Sequence, residues 1–164
     1  MSIRSRVFAL YLAGLPLSAA AHADQASHIQ ASGGWIRVLP GALPAGAYVK
    51  LQNDDAQPAQ LTGASSARYA HVMLHRSSTS DGMSNMSAVD ALAIPPHGQA
   101  ALAPGAYHLM LMQPITPVRP GDTVTLQLKF ADGSTLDTRF MARPANALDA
   151  GDTAQHPSAL PPSH

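Results

Sequence analysis

The chain of 164 residues contains no cysteine. Disulfide stapling is therefore excluded, although many exported domains of this size depend on it. A blue-copper electron-transfer site is excluded as well, because it requires a cysteine ligand. Charge is equally sparse, with ten basic residues balanced by ten acidic ones. Such a weak balance gives neither the clustered basic surface that nucleic acid requires nor a polybasic membrane patch. Long apolar runs are missing except at the start. There, Arg4 and Arg6 precede an apolar stretch from Val7 through Ala21, and Ala21-His22-Ala23 supplies a small-x-small cleavage site. These are the three parts of a secretory signal. Gly14 and Pro16 interrupt the run, and it falls short of the ~20 apolar residues a membrane span needs. Residues 1–23 are thus expected to be a signal peptide, with the mature chain beginning near Asp24 and not inserting into a membrane. Its removal takes away two arginines and no acids, leaving a formal charge of −2.

Room for long helices is also lacking. Turn clusters at Pro40-Gly41, Pro44-Ala45-Gly46, Asn53-Asp54-Asp55, Pro95-Pro96-His97-Gly98, Pro104-Gly105 and Pro120-Gly121-Asp122 cut the chain into short apolar or alternating runs. That punctuation predicts an all-β sandwich or barrel. The strongest local element is a hairpin in which Val124, Leu126, Leu128 and Phe130 alternate with polar residues, Asp132-Gly133 turns the chain, and Leu136, Thr138 and Phe140 return it. Further strands are expected over 34–38, 47–52, 60–64, 70–76, 86–92, 99–102 and 107–113, with 76–85 as a polar loop. One domain over 24–144 is long enough to build its own hydrophobic core. Residues 145–164, rich in Pro, Ala, Ser, Asp and Gly, are expected to be a disordered tail.

Against these absences stands a set of soft donors. On a strand over 107–113, His108, Met110 and Met112 share one face while Tyr107, Leu109 and Leu111 share the other. The earlier strand repeats the arrangement, with His71, Met73 and His75 opposed to Val72 and Leu74. Residues at i and i+2 lie ~6.6 Å apart, so His108 and Met110 can reach one ion. Met112 sits one step further along and is expected to be a flanking or transfer ligand. His75 ends its strand, and Met86, opening the next, is expected to fold back over it. Two imidazoles and two thioethers without a thiolate suit Cu(I), whereas Zn(II) and Fe(II) favour thiolate, carboxylate or more imidazole. A carrier of this kind is not disabled by disulfide formation, although methionine oxidation remains a vulnerability.

Each donor also has a plainer explanation. Single methionines commonly fill irregular core gaps, which is the default for Met73 and Met141. Met83, in the Asp81-Gly82 turn region, is an alternative to Met86. His97 is expected to be a solvated loop residue, and His71 is either a surface histidine or an outer donor. His156 and His164 lie in the tail without an adjacent methionine. No Ser/His/Asp or paired-carboxylate arrangement stands out, so an enzyme is not expected.

The spacing H-x10-M-x21-H-x-M, carried by His75, Met86, His108 and Met110, resembles the signature of the periplasmic copper chaperones called PCu(A)C. The match extends to Gly34-Trp35-Ile36-Arg37, Ala47-Tyr48, Asn53, Val72-Met73-Leu74-His75, Ile94-Pro95, Pro104 through Leu111 and Gly121-Asp122-Thr123-Val124. The resemblance implies a cupredoxin-like β-barrel in the periplasm with a near-surface Cu(I) site. It also implies a copper-accepting partner, the Cu(A)-bearing subunit of cytochrome c oxidase or another copper-insertion protein. Some relatives add a His- and Met-containing extension with Cu(II) capacity, but this chain has no methionine after Met141. Two other classes are a periplasmic copper storage or tolerance protein using the same ligands, and a metal-free β-sandwich adaptor.

Overall fold

The computed structural model describes residues 24–80 and 82–149. The expected signal peptide lies outside them, as do His156 and His164. A short 3-10 turn, Gln25–His28, leads into ten strands among the described residues: β1 Ile29–Arg37, β2 Ala45–Asn53, β3 Ala59–Ser65, β4 Tyr69–Ser80, β5 Met83–Ala88, β6 Leu92–Ile94, β7 Gln99–Leu102, β8 Tyr107–Pro114, β9 Thr123–Phe130 and β10 Thr135–Arg143. The architecture is all-β, as expected.

The β9–β10 hairpin shows the rule that builds the rest. Val124, Leu126, Leu128 and Phe130 are buried in strict alternation with exposed Thr123, Thr125, Gln127 and Lys129. Each fully buried side chain of this size contributes ~1.5–3 kcal/mol. Gly133 turns the chain at φ +84°, where a Cβ would be strained. The Asp132 carboxylate accepts hydrogen bonds from the Ser134 backbone N–H and hydroxyl and pins the turn.

The strands form one curled sheet in the order β5-β4-β8-β2-β1-β10-β9-β3-β6, with β7 pairing β2 beyond the end of β8. β1 and β10 run parallel, bringing Trp35 opposite Met141. The curl lays β3 beside β4 and β6 beside β7, while the hydrogen-bonded order itself stays open between β5 and β6. Ile36, Leu51, Leu61, Ile94, Leu109, Leu111, Leu126, Leu128 and Phe140 fill the interior. Asn53, fully buried at the end of β2, is tied by its side-chain amide to the carbonyls of Gln57 (2.8 Å) and Pro95 (3.2 Å), while its Oδ1 accepts from the Asp55 N–H at 3.0 Å. This polar knot fixes the end of β2 to the β6 region.

Two departures from the sequence reading bear on the site. The segment 76–85 is not a loop: β4 continues to Ser80 and forms a hairpin with β5, with His75 opposite Ala88 and Ser77 opposite Met86. A single strand over 86–92 gives way to β5 and the separate β6. At the other end, Ala147 is 2% exposed and packs with Trp35 and Tyr48, so ordered packing reaches three residues past the boundary placed at 144.

Candidate metal centre

Neighbouring strands β5, β4 and β8 set the donors side by side. Directly paired residues project to the same face of a sheet, and β4 pairs β8 with His75 opposite His108, Met73 opposite Met110 and His71 opposite Met112. On the other side of β4, Met86 lies opposite Ser77, one diagonal step from His75. His75, Met86, His108 and Met110 therefore gather on one face of three adjacent strands. The opposite face is core, where Leu74, Leu109 and Leu111 are buried. Met83 opposes Ser80 and alternates to the face away from Met86, which removes it as a substitute ligand. Met141 belongs to β10, remote from this cluster in the strand order.

The imidazole rings of His75 and His108 lie 5.9 Å apart, centroid to centroid, tilted by 56°. One metal ion at ~2 Å from a nitrogen of each ring spans such a gap. His108 is 5% exposed, and its Nδ1 lies 3.1 Å from the Ala106 carbonyl oxygen. A carbonyl only accepts, so Nδ1 carries the proton and Nε2 keeps its lone pair for a ligand. A metal-binding histidine is commonly oriented through its other ring nitrogen in this way. Both ring nitrogens of His75 are buried without a hydrogen-bond partner. Buried polar atoms are seldom left unpaired, and a coordinated ion would satisfy one of these. Burial first, and the proximity of His108 second, hold the His75 pKa below the usual imidazole value of 6.5, favouring the neutral, coordinating form. Met86 is 54% exposed and Met110 is half-buried, so the thioethers line the open side. Among the described residues no three His, Cys, Asp or Glu side chains cluster to hold an ion. A donor set of more than two side chains at this place would therefore have to draw on methionine.

An aromatic floor that the sequence reading did not identify adjoins the site. Gly46 opposes Met110 in the β2–β8 ladder, and Tyr48, two residues on, continues that face. The Tyr48 ring lies 6.4 Å from His108 and 4.5 Å from Trp35, and the Arg37 guanidinium sits over both aromatic rings at 5.4 and 5.5 Å. A Cβ on Gly46 would come within 2.6 Å of the Tyr48 hydroxyl, so any other residue there would force the phenol to shift. Burial raises the Tyr48 pKa, against a smaller opposing pull from Arg37. The phenol therefore stays protonated at neutral pH and does not compete as an anionic ligand. The only signal in sequence was the pair Trp35 and Tyr48 within the matched segments, and no spacing rule joins them.

The fold is similar to that of solved PCuAC domains. The copper-bound PCuAC domain from PmoF2 superposes with a TM-score of 0.60 at 23% identity, over 71% of this chain and 93% of that one. The solution structure of CuI-DR1885 from Deinococcus radiodurans gives 0.56 at 32% identity, over 76% and 83% of the two chains. The chain belongs to the LpqE-like family: the family description "Putative lipoprotein LpqE-like" matches residues 29–142. The "Putative lipoprotein Lxx21020" of Leifsonia xyli subsp. xyli is 33% identical over 122 residues, covering 74% of this chain and 73% of that protein.

Proposed function

We propose that this protein is an exported, periplasmic Cu(I) metallochaperone that binds one cuprous ion through His75, Met86, His108 and Met110 and hands it on by ligand exchange. The observation that carries this reading is the strand register. It gathers two imidazoles and two thioethers, 33 positions apart in sequence between His75 and His108, onto one outer face. Likeness to a copper-bound PCuAC domain and to CuI-DR1885 supports the choice of ion, as does the preference of neutral sulfur donors for Cu(I). The lipoprotein names of the relatives support export.

His108, held by the Ala106 carbonyl, and His75 supply the nitrogen donors. Met86, on the exposed edge strand, is the ligand easiest to displace. A recipient's thiolate or imidazole entering from the Met86 side would replace that thioether first and draw the ion away from the two histidines last. The recipient is a copper-accepting protein, the Cu(A)-bearing subunit of cytochrome c oxidase being the one the family resemblance suggests. Competition titration against a chromophoric Cu(I) chelator under reducing conditions tests the first half of the proposal. One tightly held ion per chain, lost in His108→Ala, is the expected result, and no competition by the native chain would overturn it. Oxidase activity in a deletion strain tests the second half: loss restored by copper or by the gene supports delivery, and unchanged activity favours storage or tolerance.

A further inference from the structure

The β4–β8 ladder does not end its soft donors at the first site. One rung beyond His75–His108 stands Met73 opposite Met110, and one rung beyond that stands His71 opposite Met112. All six side chains project to the same outer face, because each is paired directly and separated by two residues along its strand. Core packing does not account for the outer three. Met73 is 43% exposed and His71 is exposed, Met112 is half-buried on the same outer face, and the interior beneath them is filled by Leu74, Leu109 and Leu111.

We propose that His71, Met73 and Met112 form a second, weaker Cu(I) site adjoining the first, so that the ladder is a two-station track for the ion. The proposal rests on the Cu(I) reading of the main site and extends it. His71 and Met112, directly opposite, have Cα atoms ~4.5–5.5 Å apart. Met73 is one i+2 step from His71, ~6.6 Å away, so one nitrogen and two sulfurs can converge on one ion. That set is soft and neutral, as Cu(I) prefers. Two features make this station the weaker one. Its histidine is exposed rather than buried, and the cleft of about 290 Å³ alongside is lined by Lys129 as well as by Ser65, Ser66, His71 and Met73, which places a like charge near the cation. Met110, opposite Met73, stands between the stations and can pass the ion by exchanging one thioether for the other. The outer station is thus where a cuprous ion arrives and waits beside the main site, its departure being by way of Met86 on the edge strand.

The test is a proton–carbon correlation spectrum of the protein labelled with carbon-13 at the methionine methyls, titrated anaerobically with Cu(I). The first equivalent is expected to shift Met86 and Met110, and the second to shift Met73 and Met112. The double variant His71→Ala/Met112→Leu, on an exposed face with volume retained at 112, is expected to keep the first set of shifts and lose the second. A second equivalent that leaves Met73 and Met112 unmoved, or that moves Met73 equally in the variant, would overturn the second station alone. Absence of shifts at Met86 and Met110 in the first equivalent would overturn the main-site reading and the track with it.

Discussion

β8 and β5 both bring a methionine to the same sheet face, yet they are opposite kinds of strand. β8 lies between β4 and β2 with Leu109 and Leu111 fully buried beneath it. It presents a histidine whose ring is held by a backbone carbonyl. β5 is the edge of the sheet, paired only with β4 and exposed at every residue. The half of the site on β8 is fixed by the core, and the half on β5 is held by a hairpin ladder alone. A carrier needs both, since rigid nitrogen donors preserve affinity and a pliable thioether lets the ion leave. Local openings are expected to concentrate in β5, where few apolar contacts resist them.

The comparison breaks most visibly in stability. Leu109→Ala, beneath His108, is expected to cost ~2–5 kcal/mol in denaturant unfolding, whereas Met86→Ala is expected to stay within ~0.5 kcal/mol. Equal losses would mean that β5 is part of the cooperative core. Next comes affinity. His108→Ala should weaken Cu(I) binding at least as much as losing an outer-shell partner does, about 100-fold or more. Met86→Ala should cost only about tenfold while speeding release to a chelator; a slower release would reverse the roles assigned to the two strands.

A smaller effect follows from Gly46. Gly46→Ala forces the Tyr48 hydroxyl to move, and the Trp35 ring packs against Tyr48. A change in tryptophan emission is therefore expected, with a severalfold drop in Cu(I) affinity at most. Unchanged emission would show that the aromatic floor is not seated by that glycine.

The mildest effect is pH dependence. His75 titrates below 6.5 in the folded chain because it is buried beside His108, while the unfolded chain takes up its proton near ~6.5. Above that pH the group is neutral in both states and contributes nothing. As pH falls below it, the unfolded chain binds the proton first, so stability of the metal-free protein declines until the folded group has also titrated. Cu(I) affinity should fall in the same acidic range, later than for a free imidazole. His75→Gln should flatten the contribution to both curves. An unaltered pH profile in that variant would remove His75 as the titrating ligand.

What was legible in sequence follows the same contrast. The β9–β10 hairpin and the donor face of β8 could be read because one face of each is core, and burial imposes a period of two on the residues. β5 and the outer half of β4 carry Ser, Thr and Asn with no buried face, so they leave no alternation to detect and resemble a loop. Their strand character comes from the ladder with β4, which is a tertiary fact. The four candidate ligands stand out by type and spacing, whereas the reason they share one face is the pairing of His75 with His108 and of Ser77 with Met86. The Trp35, Arg37 and Tyr48 stack is assembled by register between β1 and β2. The packing of Ala147 against Trp35 and Tyr48 leaves no trace in sequence, because a single alanine in a Pro- and Asp-rich stretch carries no periodic signal.

Whether two imidazoles and two thioethers hold the ion is read by X-ray absorption at the copper edge of the protein loaded with one equivalent of Cu(I). A shell of two nitrogen and two sulfur donors is expected, with one sulfur lost in Met86→Ala. A shell without sulfur, or one unchanged by that substitution, would contradict it.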